Sequence, residues 1–512
     1  MNSSRPEVSL AEVLPWAAQR SPEALALITA TGTLTYLDLD VLSNQVASAL
    51  ISSGFTPGDV VSVFGQNSWQ WIVAYHGILK AGGVVNPVNV MLTGPELRYM
   101  LDDCGAKGVF LGSQEAARVA DHLVDSALEF QVTLDSAFDE FLADGRPQAV
   151  QVPDRRPRDV GSIGYTSGTT GHPKGAMQSL ESVLLNCAYT ATMHGKSERD
   201  VVLSALPAAH VYGNVAINGT FLTGGTVVLM DRFDPAAALR LIEQHQVTVV
   251  EGVPAMYSML LAAPELGLAD LSSIRVSTIG GQTFSPVVIE RWESRTGAPL
   301  LELWGMTELS GLGATHAVHA PACPGSIGVS LPGTDIAIAA IDGSGDRVAP
   351  GEPGELVVRG PLVMLGYHGR PDATADVLSP DGWLRTGDVA YLDETGHAFI
   401  VDRLKDMIIT AGYNIYPAEI ERVLAEHPDV AVVAVGRRPD PVKGEIAVAY
   451  VVPRHGAEPT IESILDFCAE RLAAYKRPRD VVFVESLPST SSGKVMRRKL
   501  KDLDPGAHQQ DS

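Results

Sequence analysis

The sequence predicts an α/β fold with a large amino-terminal domain of parallel sheets covered by helices and a small, mobile α+β carboxyl-terminal domain. Its 512 residues exceed what a single hydrophobic core accommodates, so two or more domains are expected. Strand-like and helix-like patterns alternate early in the chain, which favours parallel sheets. A shorter group of strands and one helix follows residue 402. We therefore predict domains at 1–402 and 403–512.

The alternation is clearest between residues 33 and 90. Before Val60, apolar residues recur at helical spacing: Leu39, Leu42, Val46 and Leu50. Val60–Phe64 has the length and composition of a buried strand, and residues 69–80 continue as a helical pattern that Gly82-Gly83 ends. A further strand begins at Val84. This succession is typical of helices that cover a parallel sheet.

Later parts of the chain repeat these patterns. Residues 182–193 and 460–472 show helical spacing, and residues 430–453 hold β-rich runs. Residues 113–160 are mixed and end in the charged segment 154–159, which we interpret as a solvated connector. The group after residue 402 thus combines strands with a helix.

The charge of the chain limits its partners. Lys and Arg number 38 against 60 Asp and Glu, a formal net charge of −22. Such an excess argues against binding to nucleic acid or to an anionic membrane surface. A polyanionic ligand must therefore be held at a local basic site.

The cysteines and the chain ends predict a cytoplasmic protein without membrane insertion. The four cysteines are scattered, without a Cys-x-x-Cys pair that would indicate zinc or a disulfide framework: Cys104, Cys187, Cys323 and Cys468. Residues 1–16 lack the basic and apolar regions of a signal peptide, and no apolar run reaches the ~18 residues of a membrane span. Residues 508–512 carry no lipidation or peroxisomal signal.

Residues 165–175 read Tyr-Thr-Ser-Gly-Thr-Thr-Gly-His-Pro-Lys-Gly and indicate an anion-binding loop. Glycine lets backbone N–H groups approach a phosphate closely, hydroxyls add donors, and Lys174 adds a positive charge. The run is not the G-x-x-x-x-G-K-[ST] loop of nucleotide hydrolases. Gly/Ser/Thr-rich segments are often flexible surface loops, but the Pro-Lys-Gly exit argues against that interpretation.

This run resembles the phosphate-binding signature of the adenylate-forming superfamily, which includes acyl-CoA synthetases, peptide-synthetase adenylation domains and firefly luciferases. The resemblance extends from about Tyr36 to Leu500 and rests on further motifs at residues 303–308, 383–388 and 488–499. It implies an ATP-dependent acyl-CoA ligase that uses ATP, Mg²⁺ and coenzyme A. By the same resemblance, the phosphates of ATP would be held by Thr166, Ser167, Gly168, Thr169, Thr170, Gly171 and Lys174.

Other nucleotide contacts follow from the later motifs by resemblance. Trp304 would stack on adenine, Thr307 would contact phosphate, and Glu308 would hold Mg²⁺, a hard cation that prefers carboxylate and phosphate oxygens. Asp388, assisted by Arg403, would bind the ribose hydroxyls. The remaining residues assigned to nucleotide, hinge or thiol contacts are Gly281, Gln282, Gly305, Lys405 and Gly412. Many relatives carry lysine where this chain has Ile409 and Ala411, so its CoA contacts are left open.

Lys494 and His210 are the predicted catalytic residues. A basic segment near a chain end is normally only solvated, but the Gly-Lys-Val-Met-Arg-Arg run resembles the superfamily's catalytic-lysine motif and assigns that role to Lys494. A lone histidine is more often structural. His210 lies in the segment that borders the acid's carboxylate in relatives, where steric and electrostatic gating is favoured over proton transfer.

The predicted acid pocket carries almost no charge. Across residues 207–222, 280–284 and 304–314 the only formal charge is Glu308, so an uncharged monocarboxylic acid is expected. Amino acids are disfavoured by the same resemblance, because peptide-synthetase adenylation domains usually carry an aspartate here to hold the ammonium group and residues 211–214 have none. A ring or an alkyl chain both remain open. The residues assigned to this pocket are Tyr212, Asn214, Gly280, Met306 and Gly311.

The resulting hypothesis is an AMP-forming acid–CoA ligase acting on a fatty or aryl acid through acyl-AMP. Two alternatives share the adenylate: a ligase that loads a carrier protein and a luciferase-like oxygenase. A nucleotide-binding protein without catalysis is disfavoured because Lys494 and Glu308 are both present. The expected partners are the acid, ATP and CoA, with the oligomeric state left open and a homodimer as one expectation.

Overall fold

The computed structural model describes residues 9–166, 172–281, 286–411, 413–488 and 495–504. The chain forms two compact units. One comprises residues up to 336 together with 358–384, and the other comprises 337–357 together with the residues from 385 onward. The chain thus passes between the units three times, and residues 385–402 belong to the second unit. The functional boundary at 402/403 stays a prediction.

The strands are distributed along the whole described chain. They are β1 (Leu25–Thr29), β2 (Gly32–Thr35), β3 (Val60–Phe64), β4 (Val84–Val88), β5 (Ala106–Leu111), β6 (Phe130–Thr133), β7 (Val160–Thr166), β8 (Lys174–Ser179), β9 (Val201–Ser204), β10 (Thr226–Leu229), β11 (Val249–Gly252), β12 (Val276–Gly280), β13 (Leu300–Met306), β14 (Gly311–Thr315), β15 (Val329–Ser330), β16 (Asp335–Ala339), β17 (Gly354–Arg359), β18 (Gly366–Tyr367), β19 (Leu384–Leu392), β20 (Ala398–Arg403), β21 (Ile408–Thr410), β22 (Tyr413–Ile415), β23 (Val430–Asp440), β24 (Gly444–Pro453) and β25 (Asp480–Phe483).

Helices alternate with most of these strands. They are α1 (Val13–Arg20), α2 (Tyr36–Ser52), α3 (Trp69–Lys80), α4 (Gly94–Asp103), α5 (Ser113–Leu123), α6 (Ser136–Asp144), α7 (Leu180–Met193), α8 (Val211–Thr223), α9 (Pro235–His245), α10 (Pro254–Ala262), α11 (Pro286–Thr296), α12 (Pro371–Ala375), α13 (Pro417–Ala425) and α14 (Ile461–Arg471). Short 3₁₀ helices lie at Leu10–Glu12, Pro264–Gly267, Thr307–Leu309, Leu404–Asp406 and Arg497–Leu503.

Two large sheets form the framework of the first unit. In the described residues one sheet has the strand order β15-β14-β13-β12-β11-β9-β10-β1-β2, and the other has the order β18-β8-β7-β4-β3-β5-β6. The central strands are parallel, as predicted. The edges are antiparallel: β2, β14 and β15 in the first sheet, and β8 and β18 in the second. The α/β class is therefore confirmed, with sheets that are mixed at their edges.

Local sequence signals place the helices well. Strand β3 and helix α3 have the predicted bounds. Helix α7 begins two residues earlier than predicted, because the Ser179 hydroxyl accepts a hydrogen bond from the Ser182 N–H and caps the helix. In the same way Thr460 caps α14 at its observed start. The first helical turn thus follows the capping residue rather than the apolar pattern.

Helix α3 is buried almost throughout, and it carries a buried cation. Its Trp71 and Tyr75 rings stack with centroids 5.5 Å apart. At its last residue the Lys80 ammonium lies 2.6 Å from Asp40 and donates to the Asn44 side chain. Burial lowers the pKa of Lys80 to about 8, although Asp40 opposes the shift. This ion pair fixes α3 against α2.

The second unit has the predicted α+β character. It holds a sheet with the order β22-β21-β24-β23, in which β25 pairs with β24 in parallel, and α13 and α14 supply apolar residues to its core. It also holds most of the sheet β16-β17-β19-β20. Arg438 on β23 forms ion pairs with Asp480 at 2.7 Å and Asp504 at 2.6 Å. These pairs fasten the last described residues to the sheet.

Among the described helices, none combines the length and the apolar character that crossing a bilayer requires.

One side chain links the two large sheets of the first unit. Asn67, between β3 and α3, donates from Nδ2 to the Leu206 and Met230 carbonyl oxygens at 3.0 and 2.9 Å. Its Oδ1 accepts from the Ala208 N–H at 2.8 Å. Residues 206–208 follow β9 and Met230 follows β10, so the amide joins the β3–α3 turn to the ends of both strands.

We predict that Asn67→Ala destabilises the protein by about 2 kcal/mol, because buried backbone groups lose their partners. The exposed Asn89→Ala is the matched control and should change the unfolding free energy by less than about 0.5 kcal/mol. Thermal unfolding followed by tryptophan fluorescence measures both. Equal melting temperatures of Asn67→Ala and wild type would contradict the linking role of this amide.

Candidate active site

Strands β7 and β8 bracket the glycine-rich run. Thr166 ends β7 and is paired in register with Lys174, which begins the antiparallel β8. His172, just before β8, stacks on Tyr99 with ring centroids 4.9 Å apart. The two ends of the run are therefore held together by strand pairing. The residues between them, predicted to bind phosphate, lie outside the described part of the chain: Ser167, Gly168, Thr169, Thr170 and Gly171.

Lys174 and Glu308 approach opposite parts of one tyrosine. Strand β18 pairs with β8, which places Tyr367 opposite Ala176. The Lys174 Nζ lies 5.2 Å from the centroid of the Tyr367 ring, a cation–π contact, and the Tyr367 hydroxyl donates to Glu308 Oε1 at 2.8 Å. Burial and the neighbouring Glu308 raise the pKa of Tyr367, so the phenol stays a donor.

The Thr307–Leu309 turn lies directly against β7 and β8. Gln178 on β8 donates from Nε2 to the Thr307 carbonyl oxygen at 2.9 Å. A Cβ at Gly164 on β7 would lie 2.6 Å from the Thr307 methyl group, so only glycine allows this approach. These contacts bring Thr166 and Lys174 to the same region as Thr307 and Glu308. The first pair and the second pair are separated by at least 133 residues along the chain.

Strand β13 leads into this turn and carries the predicted site residues Trp304, Gly305 and Met306, which differ in their exposure to solvent. Trp304 is largely buried, and a Cβ at Gly313 would lie 2.5 Å from its ring. The backbone of Gly305 is exposed and Met306 is half-buried. Stacking of Trp304 on adenine stays a prediction. The solvent-accessible surface at this end of β13 belongs to Gly305 and Met306, the two residues that follow Trp304.

Asn186 on α7 shapes the adjoining turn, and sequence reasoning missed it. Its Nδ2 donates to the Leu309 and Leu312 carbonyl oxygens at 3.0 and 2.8 Å, and its Oδ1 accepts from the Leu312 N–H at 3.1 Å. A Cβ at Gly311 would lie 2.6 Å from that Oδ1. Gly311, assigned to the acid pocket, is therefore packed against a helix on this side.

His210 is the N-cap of α8. Its Nδ1 accepts from the Tyr212 N–H at 3.3 Å, so a neutral ring carries its proton on Nε2. The side chain is exposed. Asn214, one turn further, accepts at Oδ1 from the Tyr75 hydroxyl at 3.3 Å and from Asn218 Nδ2 at 3.1 Å. The histidine thus has a fixed position at a helix start, where partial positive charge also favours anions.

The end of β12 forms the other predicted wall of the acid pocket. Gly280 is buried, and a Cβ there would lie 2.1 Å from the Leu303 side chain. Gly281 is exposed and has a φ of +94°, a conformation that favours glycine. Both glycines are thus required by local geometry. Gln282 lies outside the described residues.

The predicted ribose ligand belongs to the second unit. Asp388 on β19 is 3% exposed and lies opposite Arg403 on β20, whose Nε is 2.5 Å from its Oδ1. Thr386 Oγ1 accepts from the Asp388 N–H at 3.1 Å. Lys405 is exposed in the following 3₁₀ helix. Gly412 and Lys494 lie outside the part of the chain that the structure describes, so their roles stay predictions.

The comparisons with known proteins identify the family. The AMP-binding enzyme family matches residues 14–368, and the AMP-binding enzyme C-terminal domain matches residues 419–494. The chain therefore belongs to the AMP-binding enzymes and is an acyl-CoA synthetase of the adenylate-forming superfamily. This confirms the predicted class and the α/β fold with a separate carboxyl-terminal domain.

Individual relatives are similar over nearly their whole length. Feruloyl-CoA synthase of Amycolatopsis sp is 39% identical over 488 residues, 94% of this chain and 96% of that protein. Long-chain-fatty-acid–CoA ligase of Bacillus subtilis (strain 168) is 34% identical over 539 residues, 98% of this chain and 96% of that protein. The crystal structure of ATP bound MatB from Rhodopseudomonas palustris superposes with a TM-score of 0.90 at 30% identity and covers 97% of this chain and 99% of that one.

A titratable group on β13 yields a pH-dependent prediction. Glu302 Oε2 accepts from the Gly325 N–H at 2.9 Å, and burial raises the pKa of this carboxyl to about 7 although that N–H opposes the shift. In the unfolded chain the ordinary pKa is near 4.5. The protonated group therefore contributes stability that is fully present below pH 4.5 and is lost as the pH rises through 7.

We predict that Glu302→Gln, which keeps an acceptor but does not titrate, gains stability relative to wild type as the pH rises. The difference should increase by roughly 2 kcal/mol between pH 5 and 8. Urea unfolding at several pH values measures it, with the exposed Glu290→Gln as control. A difference that is constant with pH would show that Glu302 ionises normally in the folded protein.

Proposed function

We propose that the protein activates an uncharged aryl or alkyl monocarboxylic acid as its acyl-AMP and transfers the acyl group to the thiol of CoA. The observation that carries this proposal is the assembly of Thr166, Lys174, Thr307 and Glu308 around the β7–β8 pair. It matches the needs of a triphosphate: hydroxyl donors, one cation and a carboxylate for a metal. The chain is similar to one CoA ligase named for an aryl acid and to another named for long-chain fatty acids. This similarity supports CoA as the thiol substrate and leaves both classes of acid open.

The central difficulty of the reaction is the meeting of two anions. The carboxylate oxygen attacks the α-phosphorus, the bond to the β-phosphate oxygen breaks, and pyrophosphate leaves. Lys174 and the hydroxyl-rich run would bind the leaving phosphates, and Lys494 would place its charge between the carboxylate and the α-phosphate. Interactions of this type, which develop with transition-state charge, commonly contribute about 10²–10³ in rate each.

Glu308 fits the role of a Mg²⁺ ligand. Mg²⁺ keeps several waters and is held in nucleotide sites by one or two carboxylates plus phosphate oxygens, so a single glutamate suffices. Glu308 is 7% exposed, and Oε1 accepts the Tyr367 hydroxyl, which orients the carboxylate. When bound, the metal would add positive charge beside the phosphates.

The acid pocket would lie between the start of α8 and the end of β12. Both walls meet at the carboxyl ends of parallel strands, where ligands of α/β sheets are generally found. His210 would border the carboxylate, since it is exposed at the first turn of the helix. The described walls offer no lysine or arginine of their own in residues 207–222 and 304–314, which favours an uncharged acid.

Two half-reactions would share this site. The thiol must reach the carbonyl carbon that Lys494 faces during adenylation, so the lysine has to withdraw before the second step. This requirement explains a lid that begins near residue 403, with Lys405 as hinge and Asp388 and Arg403 as ribose contacts. We further propose a cytoplasmic enzyme, since all four cysteines are free thiols.

The direct test is Lys494→Ala. ATP–pyrophosphate exchange should fall by about 10²-fold or more, because the charge between the two anions is lost. Transfer from supplied acyl-AMP to CoA should stay within a few-fold of wild type. Lys499→Ala, an exposed lysine on the nearby 3₁₀ helix, is the matched control.

The outcomes separate the alternatives. Adenylation that persists while transfer fails would reverse the assignment of Lys494. Pyrophosphate release without any free acyl-CoA would favour a carrier protein as the thiol donor, and acid-dependent oxygen uptake would favour an oxygenase. No acid-dependent pyrophosphate release by the wild type, over a panel of fatty, benzoic and hydroxycinnamic acids, would refute the proposed function.

A second prediction concerns Tyr367. Tyr367→Phe keeps the ring under Lys174 but removes the donor to Glu308, so the carboxylate loses its orientation. We expect adenylation to fall by about 10-fold and the Mg²⁺ concentration for half-maximal exchange to rise. Tyr36→Phe, which removes a buried hydroxyl bonded to the Gly225 carbonyl oxygen, is the control. An unchanged Mg²⁺ dependence would contradict the role of Glu308.

A further inference from the structure

A buried ion pair lies between helix α8 and strand β11. Lys196, in the segment that follows α7, places its Nζ 2.7 Å from Glu251 Oε1 on β11. Both side chains are almost fully buried. The same ammonium donates to the Ala216 carbonyl oxygen at 3.2 Å and to Thr220 Oγ1 at 3.3 Å, both on α8. The pair therefore joins α8 to the sheet.

The pair continues through two hydroxyls to the first turn of α8. Thr278 on β12 donates to the other oxygen of Glu251, and the Tyr212 hydroxyl lies 2.6 Å from Thr278 Oγ1. Tyr212 is buried and Thr278 wholly so. The series starts at Lys196, which contacts α8, and passes through Glu251 on β11 and Thr278 on β12. It ends at Tyr212 in the first turn of α8.

The direction of each hydrogen bond in this series is fixed. Burial would raise the pKa of Glu251, but Lys196 and His194 bring it down to about 2, so the carboxylate is ionised and only accepts. The single Thr278 proton must go to Glu251. The Tyr212 hydroxyl then donates to Thr278 at 2.6 Å, with the Gly252 carbonyl oxygen as a more distant acceptor at 3.5 Å. The phenol donor of Tyr212 is therefore turned away from the acid pocket.

This series lies between α8 and the strands β11 and β12, close to residues assigned to the acid pocket. Thr278 lies two residues before Gly280, and Tyr212 lies two residues after His210, so the series adjoins both predicted walls along the chain. A chain that passes between α8 and the sheet would have to separate a buried ion pair, which costs about 3–5 kcal/mol when one partner is left alone. On the other side Gly311 is closed by Asn186 and Val215.

We propose that Lys196, Glu251, Thr278 and Tyr212 form the floor of the acid pocket and limit its depth, so that the enzyme prefers acids of about one aromatic ring to long alkyl acids. Tyr212 would contact the acid through its ring and the other three would position it. The inference rests on the proposed function and narrows it to aryl acids. It also predicts that the Tyr212 hydroxyl forms no hydrogen bond with substituents on the ring of the acid.

The test compares kcat/KM for a hydroxycinnamic acid with that for C12 and C16 alkanoates in the same preparation. The ratio cancels any loss of folded protein, which a purely structural role would cause. Wild type should prefer the aryl acid by about 10²-fold or more. Lys196→Met with Glu251→Leu replaces the ion pair by apolar groups, and the preference should fall at least about 10-fold.

A matched control exists in the same unit. Lys80→Met with Asp40→Leu replaces another buried lysine–carboxylate pair, at the α2–α3 contact, and should leave the acid preference unchanged. If the Lys196–Glu251 variant does not fold, Thr278→Val and Tyr212→Phe give the second measurement. Each should raise KM for the aryl acid several-fold and leave KM for ATP unchanged, because only the position of the Tyr212 ring is disturbed.

Three results would overturn the inference. Wild type that uses C16 and aryl acids equally well would show that the floor does not limit the chain. A preference that survives removal of the ion pair, or that falls equally in the Lys80–Asp40 control, would deny these residues a specific role. In each case acid-dependent pyrophosphate release by the wild type would leave the proposed function intact.

Discussion

The pairing of β8 with its two neighbours is the interaction on which the rest of the site depends. On one side β8 pairs with β7 and closes the ends of the glycine-rich run, and on the other it pairs with β18 and places Tyr367. From the same strand Gln178 holds the Thr307 turn. One strand thus gives three distant segments a common support, and the spacing between a cation and a carboxylate follows from its register.

That spacing has a chemical consequence. Lys174 lies over the ring of Tyr367, and Glu308 accepts from the hydroxyl of the same residue. The tyrosine therefore contacts a cation through its ring and a carboxylate through its hydroxyl. The buried Lys196–Glu251 pair is the contrast, because its charges are in direct contact.

The sequence predicted the features that depend on residues close together along the chain. Strand β3 and helix α3 follow from apolar periodicity, and the phosphate-binding run at 165–175 follows from residue types that suit an anion, whereas the other site motifs came from the resemblance to the superfamily. It could not predict contacts between distant segments, such as Gln178 with Thr307 or Gly164 against the same turn, because no local pattern encodes them. Nor does any composition change mark the passage of residues 337–357 into the second unit. One signal was available: Glu251 interrupts a valine-rich strand, and a buried carboxylate must have a partner.

The central claim is that the acid's own oxygen attacks the α-phosphorus of ATP at this site. An acid labelled with ¹⁸O in both carboxylate oxygens, incubated with the enzyme, ATP, Mg²⁺ and CoA, tests it directly by mass spectrometry of the products. The account predicts one ¹⁸O in AMP, one in the thioester and none in pyrophosphate. Unlabelled AMP, or label in pyrophosphate or inorganic phosphate, would contradict it.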